Sequence, residues 1–219
     1  MTQNYYICLE GLDCIGKTTV CSKIIKFLKC HTKRPILFMT RPDKLSKIGS
    51  TLYNEAKKVP EGSISRCLLF MANNAVNFNN KVLPWMKKHK NGIIIADRFL
   101  LSMLTYNVID THLENSIDSI LELESGSCNQ HLPDICFYLY SESKNLDPYS
   151  ALKNRKYKLE ENDLKCKKFK LKLLEKYEKA ISYYNFNIGS QYHIQQINID
   201  NPEFMDKIYK ELKFRLSLA

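Results

Sequence analysis

The sequence predicts an α/β fold: a five-stranded parallel sheet with helices on both faces. Three observations predict it. Five short runs, Tyr5–Leu9, Ile36–Met39, Ile93–Ala96, Ile135–Tyr140 and Ile194–Ile199, are largely apolar with β-branched residues, the pattern of strands covered on both sides. Longer segments between them repeat apolar residues at helical spacing, and such alternation gives a parallel sheet. The 219 residues, 44% hydrophobic, are enough for one substantial core, so a single domain spanning 1–219 is expected.

Taken in order, the first run leads into residues 17–31, where Val20, Ile24 and Leu28 share a helical face. Residues 62–89 repeat Ile64, Leu68, Met71, Ala75, Phe78, Val82 and Trp85, with Pro84 expected to bend the end of one long helix. Residues 161–186 and 203–217 also read as helices. Residues 141–160 are polar and lysine-rich without an apolar stripe, and are expected to form a mobile segment leading into the next helix. There is no internal repeat and no linker. In such folds ligands collect at the carboxyl ends of the strands, so functional residues are expected just after each run.

The net charge of +10 calls for an anionic partner: nucleotide phosphates, nucleic acid or anionic membrane. No apolar run is long enough to span a bilayer, and MTQNYYICLEG carries no secretory-signal pattern. Eight cysteines form no CxxC pair and no zinc-ligand spacing. They are expected to be free thiols in a reducing compartment, which implies a cytoplasmic location.

After the first run stands Gly11-Leu12-Asp13-Cys14-Ile15-Gly16-Lys17-Thr18, which satisfies GxxxxGK[ST] with a strand before it and a helix after it. Glycines let the backbone curl so that successive N–H groups face a phosphate, and the helix N-terminus adds partial positive charge. Lys17 is expected to reach the β- and γ-phosphates of ATP, and the Thr18 hydroxyl to hold Mg²⁺. The nucleotide-binding set is Gly11, Asp13, Cys14, Ile15, Gly16, Lys17, Thr18 and Thr19. The loop alone gives a nucleotide-binding protein and leaves the phosphoryl acceptor open.

Further motifs follow in order. The loop reads EGLDCIGKTT, and Thr40-Arg41-Pro42 leads to Ile48-Gly49. Then come Cys67-Leu-Leu-Phe-Met-Ala-Asn-Asn74, Asp97-Arg98-Phe99 with Ser102, Tyr106 and Asn107, Leu132-Pro-Asp-Ile-Cys-Phe-Tyr-Leu139, Asp147-Pro148-Tyr-Ser-Ala-Leu152 and Ile199-Asp200-Asn201. In order and spacing the chain resembles the thymidylate kinase family of P-loop nucleoside-monophosphate kinases along most of its length. The resemblance implies a P-loop kinase fold with a short lid near 141–160, and transfer of the γ-phosphoryl group of ATP to dTMP with Mg²⁺. It also implies a homodimer formed through helices beside the second and third strands.

The resemblance further implies roles. Arg98 would hold the acceptor phosphate against the γ-phosphoryl group, and its neighbour Asp97 would organise the metal or the acceptor. Arg41 and Lys44 would grip the acceptor phosphate. Asp13 would lie near the sugar 3′-hydroxyl, Phe70 would stack on the base, and Tyr106 would crowd the sugar where a 2′-hydroxyl would sit. Ser102 belongs to the same substrate set. The loop carries no arginine, so Arg155 is expected to act from the lid, with Lys156 and Lys158 behind it. Where the family has a base-reading arginine this chain has Asn74, whose amide can present either oxygen or nitrogen. Base selection is therefore expected to be looser, unless Asn73 or Arg66 replaces the arginine.

Two other readings stand beside this one. A deoxynucleoside kinase would use Asp97 as a base on a sugar hydroxyl. A non-catalytic P-loop protein would bind nucleic acid, but no RNP, helix-turn-helix or zinc-finger pattern is present. The lysines at 165, 167, 168, 170, 172, 176 and 179 are expected to form a solvated helix face.

Overall fold

The structure, a computed structural model, describes residues 3–142, 163–187 and 193–218. Strands Tyr5–Gly11 (β1), Ile36–Thr40 (β2), Ile93–Asp97 (β3), Ile135–Tyr140 (β4) and His193–Asn198 (β5) form one sheet in the order β2-β3-β1-β4-β5. All pairs are parallel, and each strand falls within two residues of its predicted run.

Successive strand residues face opposite sides, so the sheet feeds two cores. Tyr6, Cys8, Ile94, Ala96, Cys136 and Tyr138 pack on one face with helices Ile64–Asn77 (α3), Leu100–Asn107 (α5), Ile117–Ser127 (α6) and Asp163–Asn187 (α7). Ile7, Leu9, Ile93, Ile95, Ile135 and Phe137 pack on the other with Lys17–His31 (α1) and Phe204–Leu216 (α8). Each of the isoleucine, leucine and phenylalanine side chains removed from water stabilises the fold by about 1.5–3 kcal/mol.

The predicted helix over 62–89 is divided. A π-helical turn at Phe78–Val82 separates α3 from Leu83–Lys88 (α4), and Pro84 sits in the first turn of α4. Proline lacks an N–H for the helical ladder, and a wider turn ahead of it absorbs that mismatch. Three helices were not anticipated: Lys47–Lys58 (α2), α5 and α6. In α2 only Gly49 and Ala56 are buried, so no apolar stripe announces it; Ser46 caps it by accepting from the Gly49 amide at 3.0 Å. In α5 every residue but Tyr106 is buried, which erases the helical period.

Of the lysine-rich helix, the side chains of Lys172, Lys176 and Lys179 are described, and those of Lys165, Lys167, Lys168 and Lys170 lie outside the described residues. Lys172 is exposed, but Lys176 Nζ donates to the Ile109 carbonyl at 2.6 Å and Lys179 pairs with Asp110. The expected lid, with Arg155, Lys156, Lys158 and the Asp147–Leu152 stretch, lies outside the described residues beyond 142.

Candidate active site

The loop leaving β1, the central strand, is built by backbone geometry. Gly11 has φ 140°, and a Cβ there would lie 2.5 Å from the Leu139 carbonyl oxygen on β4. Gly16 precedes α1 with φ 98°, a left-handed position that glycine adopts without strain. Lys17 folds back over the loop, its Nζ donating to the carbonyls of Gly11 at 3.0 Å and Leu12 at 2.6 Å. Burial, aided by the Arg98 charge, pushes its pKa down to about 8. Asp13, Cys14, Gly16, Lys17, Thr18, Thr19 and Asp97 line the resulting cavity. Gly11 and Ile15 are not among its walls: the Ile15 side chain is buried in the core of the α1 face.

Parallel pairing sets Leu9 of β1 beside Asp97 of β3, so both strands end at this cavity. Asp97 Oδ2 accepts from Thr18 Oγ1 at 2.6 Å. A hydroxyl and a carboxylate side by side are hard oxygen donors of the kind Mg²⁺ takes, with phosphate and water oxygens completing its shell. The pair fits that ion.

Arg98 has φ 79°, a left-handed conformation costly for a residue with a Cβ and frequent at functional sites. Nη1 donates to Ser102 Oγ at 2.6 Å, to the Gly11 carbonyl at 3.2 Å and to the Tyr177 hydroxyl at 3.2 Å; Nη2 pairs with Asp13. The guanidinium lies 5.1 Å from the Tyr106 ring centre. Behind it stands buried Glu10, which accepts from the amides of Phe99 at 2.7 Å and Ser102 at 3.0 Å and from the Ser102 hydroxyl. Phe99, at the N-cap of α5, makes no side-chain cap, so β1 satisfies the helix's first amides instead.

A second cavity opens beside the first. Asp13, Arg41, Pro42, Lys44 and Arg98 line both. Its far end is lined by Tyr53, Arg66, Phe70, Asn74, Ser102, Met103, Tyr106 and Asn107. Phe70 is half-buried at that wall, and Lys44 Nζ lies 4.5 Å from the Tyr53 ring centre. Arg41 reaches the shared wall but is buried, and its terminal nitrogens point inward. Nη1 donates to Glu124 Oε1 at 2.9 Å and Nη2 to Cys128 Sγ at 2.7 Å, with the guanidinium 4.3 Å from the Phe99 ring centre. Asn74 donates from Nδ2 to the same Glu124 oxygen at 2.9 Å. Burial pushes the Glu124 carboxyl up to about 7 against the pull of Arg41 and Asn74.

Neither proposed substitute for the absent arginine is free in the same way. Asn73 is spent on the backbone of Asp43 and Gly49, with contacts of 2.7, 2.9 and 2.7 Å. Arg66 lines the cleft but donates to the Val59 carbonyl and Glu61. Sequence reasoning gave no role to Glu10, Glu124 and Tyr177. A lone glutamate in an apolar strand was a usable signal for Glu10, since buried acids are partnered. Tyr177 sits in an ordinary helical pattern and Glu124 on a helix that was not anticipated, and neither carried a signal.

Three comparisons bear on this arrangement. The sequence profile of the family described as thymidylate kinase matches residues 9–197. A thymidylate kinase of Clostridium novyi is 26% identical over 220 residues, covering 97% of this chain and 98% of its own. One of Rickettsia typhi is 30% identical over 158 residues, 70% of each chain. A solved thymidylate kinase from Ehrlichia chaffeensis superposes with a TM-score of 0.64 over 96% of this chain and 99% of its own, at 17% identity, a likeness of fold.

Proposed function

The chain belongs to the thymidylate kinase family, and from that premise we propose that its joined cavities move the γ-phosphoryl group of ATP onto the 5′-phosphate of dTMP. The observation that carries the reading is the wall common to the phosphate-loop cavity and the acceptor cleft, where Lys44 and Arg98 supply the cations, Asp13 pairs with Arg98, and Arg41 lies buried against Glu124. Two phosphates that must approach repel each other, and cations at their junction offset that repulsion while fixing direction. A kinase acting on a sugar hydroxyl needs a base in the acceptor cleft instead. Asp97 lines only the phosphate-loop cavity and already accepts from Thr18.

In this reading ATP phosphates lie along the loop residues. Lys17 exchanges the carbonyls of Gly11 and Leu12 for the β- and γ-phosphates. Thr18 and Asp97 hold Mg²⁺, which when bound neutralises charge on the transferring group. Arg98, braced by Ser102 and Tyr177, faces the acceptor phosphate. The base end of dTMP lies at the aromatic far end of the cleft, against Phe70 and Tyr106. A coupled assay with ATP and each nucleoside monophosphate, with thymidine as control, tests this. Turnover with dTMP and none with thymidine is expected; the reverse overturns the reading.

We also propose that the protein is a homodimer. Ile64 and Leu68 on α3 are 45% and 47% exposed, and Leu123 on the adjoining α6 is 57% exposed, an apolar surface that a second copy would cover. Cys8, Cys21, Cys30, Cys67, Cys128 and Cys136 are thiols outside any disulfide, which supports a cytoplasmic location. No helix among the described residues is long and apolar enough to cross a membrane.

A further inference from the structure

Asn74 presents an amide of two unlike ends to the acceptor cleft, and its chemistry there depends on which end is turned outward. The neighbouring buried group decides this. Glu124 is fully buried on α6, and its Oε1 accepts from Arg41 Nη1 at 2.9 Å. The Asn74 Nδ2 group therefore turns to Glu124 Oε1, also at 2.9 Å. The opposite orientation would set a carbonyl oxygen against a carboxylate. Asn74 Oδ1 has no hydrogen-bond partner among the described residues, and Asn74 lines the cleft four residues along α3 from Phe70.

We propose that Glu124 is a specificity-positioning residue: by holding the Asn74 amide nitrogen it turns the Asn74 carbonyl toward the acceptor base. The inference rests on the nucleoside-monophosphate kinase reading, because the cationic wall takes the phosphate and leaves the base at the Asn74 end. A carbonyl read from α3 rewards a base that brings a hydrogen-bond donor to that edge. Thymine and cytosine differ there, one carrying a carbonyl oxygen and the other an amino group. This site therefore takes dCMP as an acceptor and favours it, relative to dTMP, more than a purely donating side chain would, because thymine's carbonyl at that edge gains no hydrogen bond from the Asn74 oxygen.

The test compares kcat/KM for dCMP and dTMP in the wild type, Asn74→Leu and Glu124→Leu. The wild type should phosphorylate both. The dCMP-to-dTMP ratio should fall about tenfold in Asn74→Leu, the order of one neutral hydrogen bond, and in the same direction in Glu124→Leu, where the amide is released. A ratio that rises or stays level in either folded variant overturns the proposal, as does wild-type dCMP turnover below detection beside active dTMP turnover. If Glu124→Leu does not fold, the side-chain amide of Asn74 decides. Held on a carboxylate, its protons keep their protection from solvent exchange when either nucleotide is added to the wild type; loss of protection overturns the proposal. A wild type that turns over neither nucleotide sinks the kinase reading itself, whereas active turnover with an unmoved ratio sinks only the role of Glu124.

Discussion

Thr18 Oγ1 donates a 2.6 Å hydrogen bond to Asp97 Oδ2, tying the first turn of α1 to the end of β3. If the pair holds Mg²⁺, removing either oxygen weakens the metal site and leaves the sheet intact. Thr18→Ala should need roughly tenfold or more Mg²⁺ for half-maximal activity, the order seen when a supporting group is lost. Activity titrated against Mg²⁺ measures this; an unchanged midpoint removes Thr18 from the site.

Lys17 carries a pH signature. Its pKa without nucleotide is pushed down to about 8, and ATP phosphates favour its charged form. Below pH about 8 the ammonium is already present, so binding takes up no proton there. Above it, ATP binding should take up close to one proton and affinity should fall as pH rises. The same depressed value makes the nucleotide-free protein gain stability as pH climbs from about 8 toward the ~10.4 of an unfolded lysine. Calorimetry at pH 7 and pH 9, in buffers of different ionisation enthalpy, measures the uptake. Lys17→Met should abolish it.

Arg98→Ala should lose turnover by ~10³-fold or more, as expected for an arginine that meets phosphoryl charge. Tyr177→Phe tests whether orientation matters as well as charge. It deletes one hydroxyl that bonds Arg98, Ser102 and the Gly11 carbonyl. Turnover should drop about tenfold, on the scale of the one bond lost from Arg98, and the melting temperature should fall as well because Ser102 and the Gly11 carbonyl lose the same buried partner. Unaltered kcat in a normally folded Tyr177→Phe means that Arg98 holds its place without help.

The Arg41–Glu124 pair is buried on both sides, at 3% and 1% side-chain exposure. Removing one partner strands the other charge, so Arg41→Met and Glu124→Leu should each destabilise by about 3–5 kcal/mol. Arg41→Met combined with Glu124→Leu should cost much less than the sum. Urea unfolding of the four proteins closes the cycle, and additive losses would show that the two groups are not coupled.

Leu68→Asp should yield a monomer near half the mass of the wild type in sedimentation velocity, with dTMP turnover reduced only if the dimer supports the cleft. A wild type that sediments as a monomer at micromolar concentration sets the dimer reading aside.

The sheet was legible because its strands are short apolar runs, and the phosphate loop because its glycines sit at fixed spacing. Lys17, Thr18, Asp97 and Arg98 converge because parallel register lines up the strand ends, a consequence that follows once β1 and β3 are known to be neighbours. What escaped was long-range and polar. Glu124 reaches Arg41 and Asn74 across 83 and 50 residues, and Tyr177 reaches Gly11 across 166. No local period encodes such a contact. Arg41 shows the limit from the other side: it lines the wall shared by the two cavities, but the direction of its guanidinium was set by an acid on a helix the sequence did not announce.

The cap that Glu10 lends to α5 bears on how this chain folds. The Phe99 amide and its acceptor lie 89 residues apart, so the helix that follows Arg98 obtains its first-turn partner only after β1 has docked beside β3. A peptide of residues 93–108 alone lacks that partner, and at eight residues α5 is too short to persist in water unaided. The order of assembly is then constrained: sheet centre first, arginine-bearing turn afterwards. A chain in which those 89 residues have not closed lacks both the β1–β3 pairing and the first-turn partner of α5.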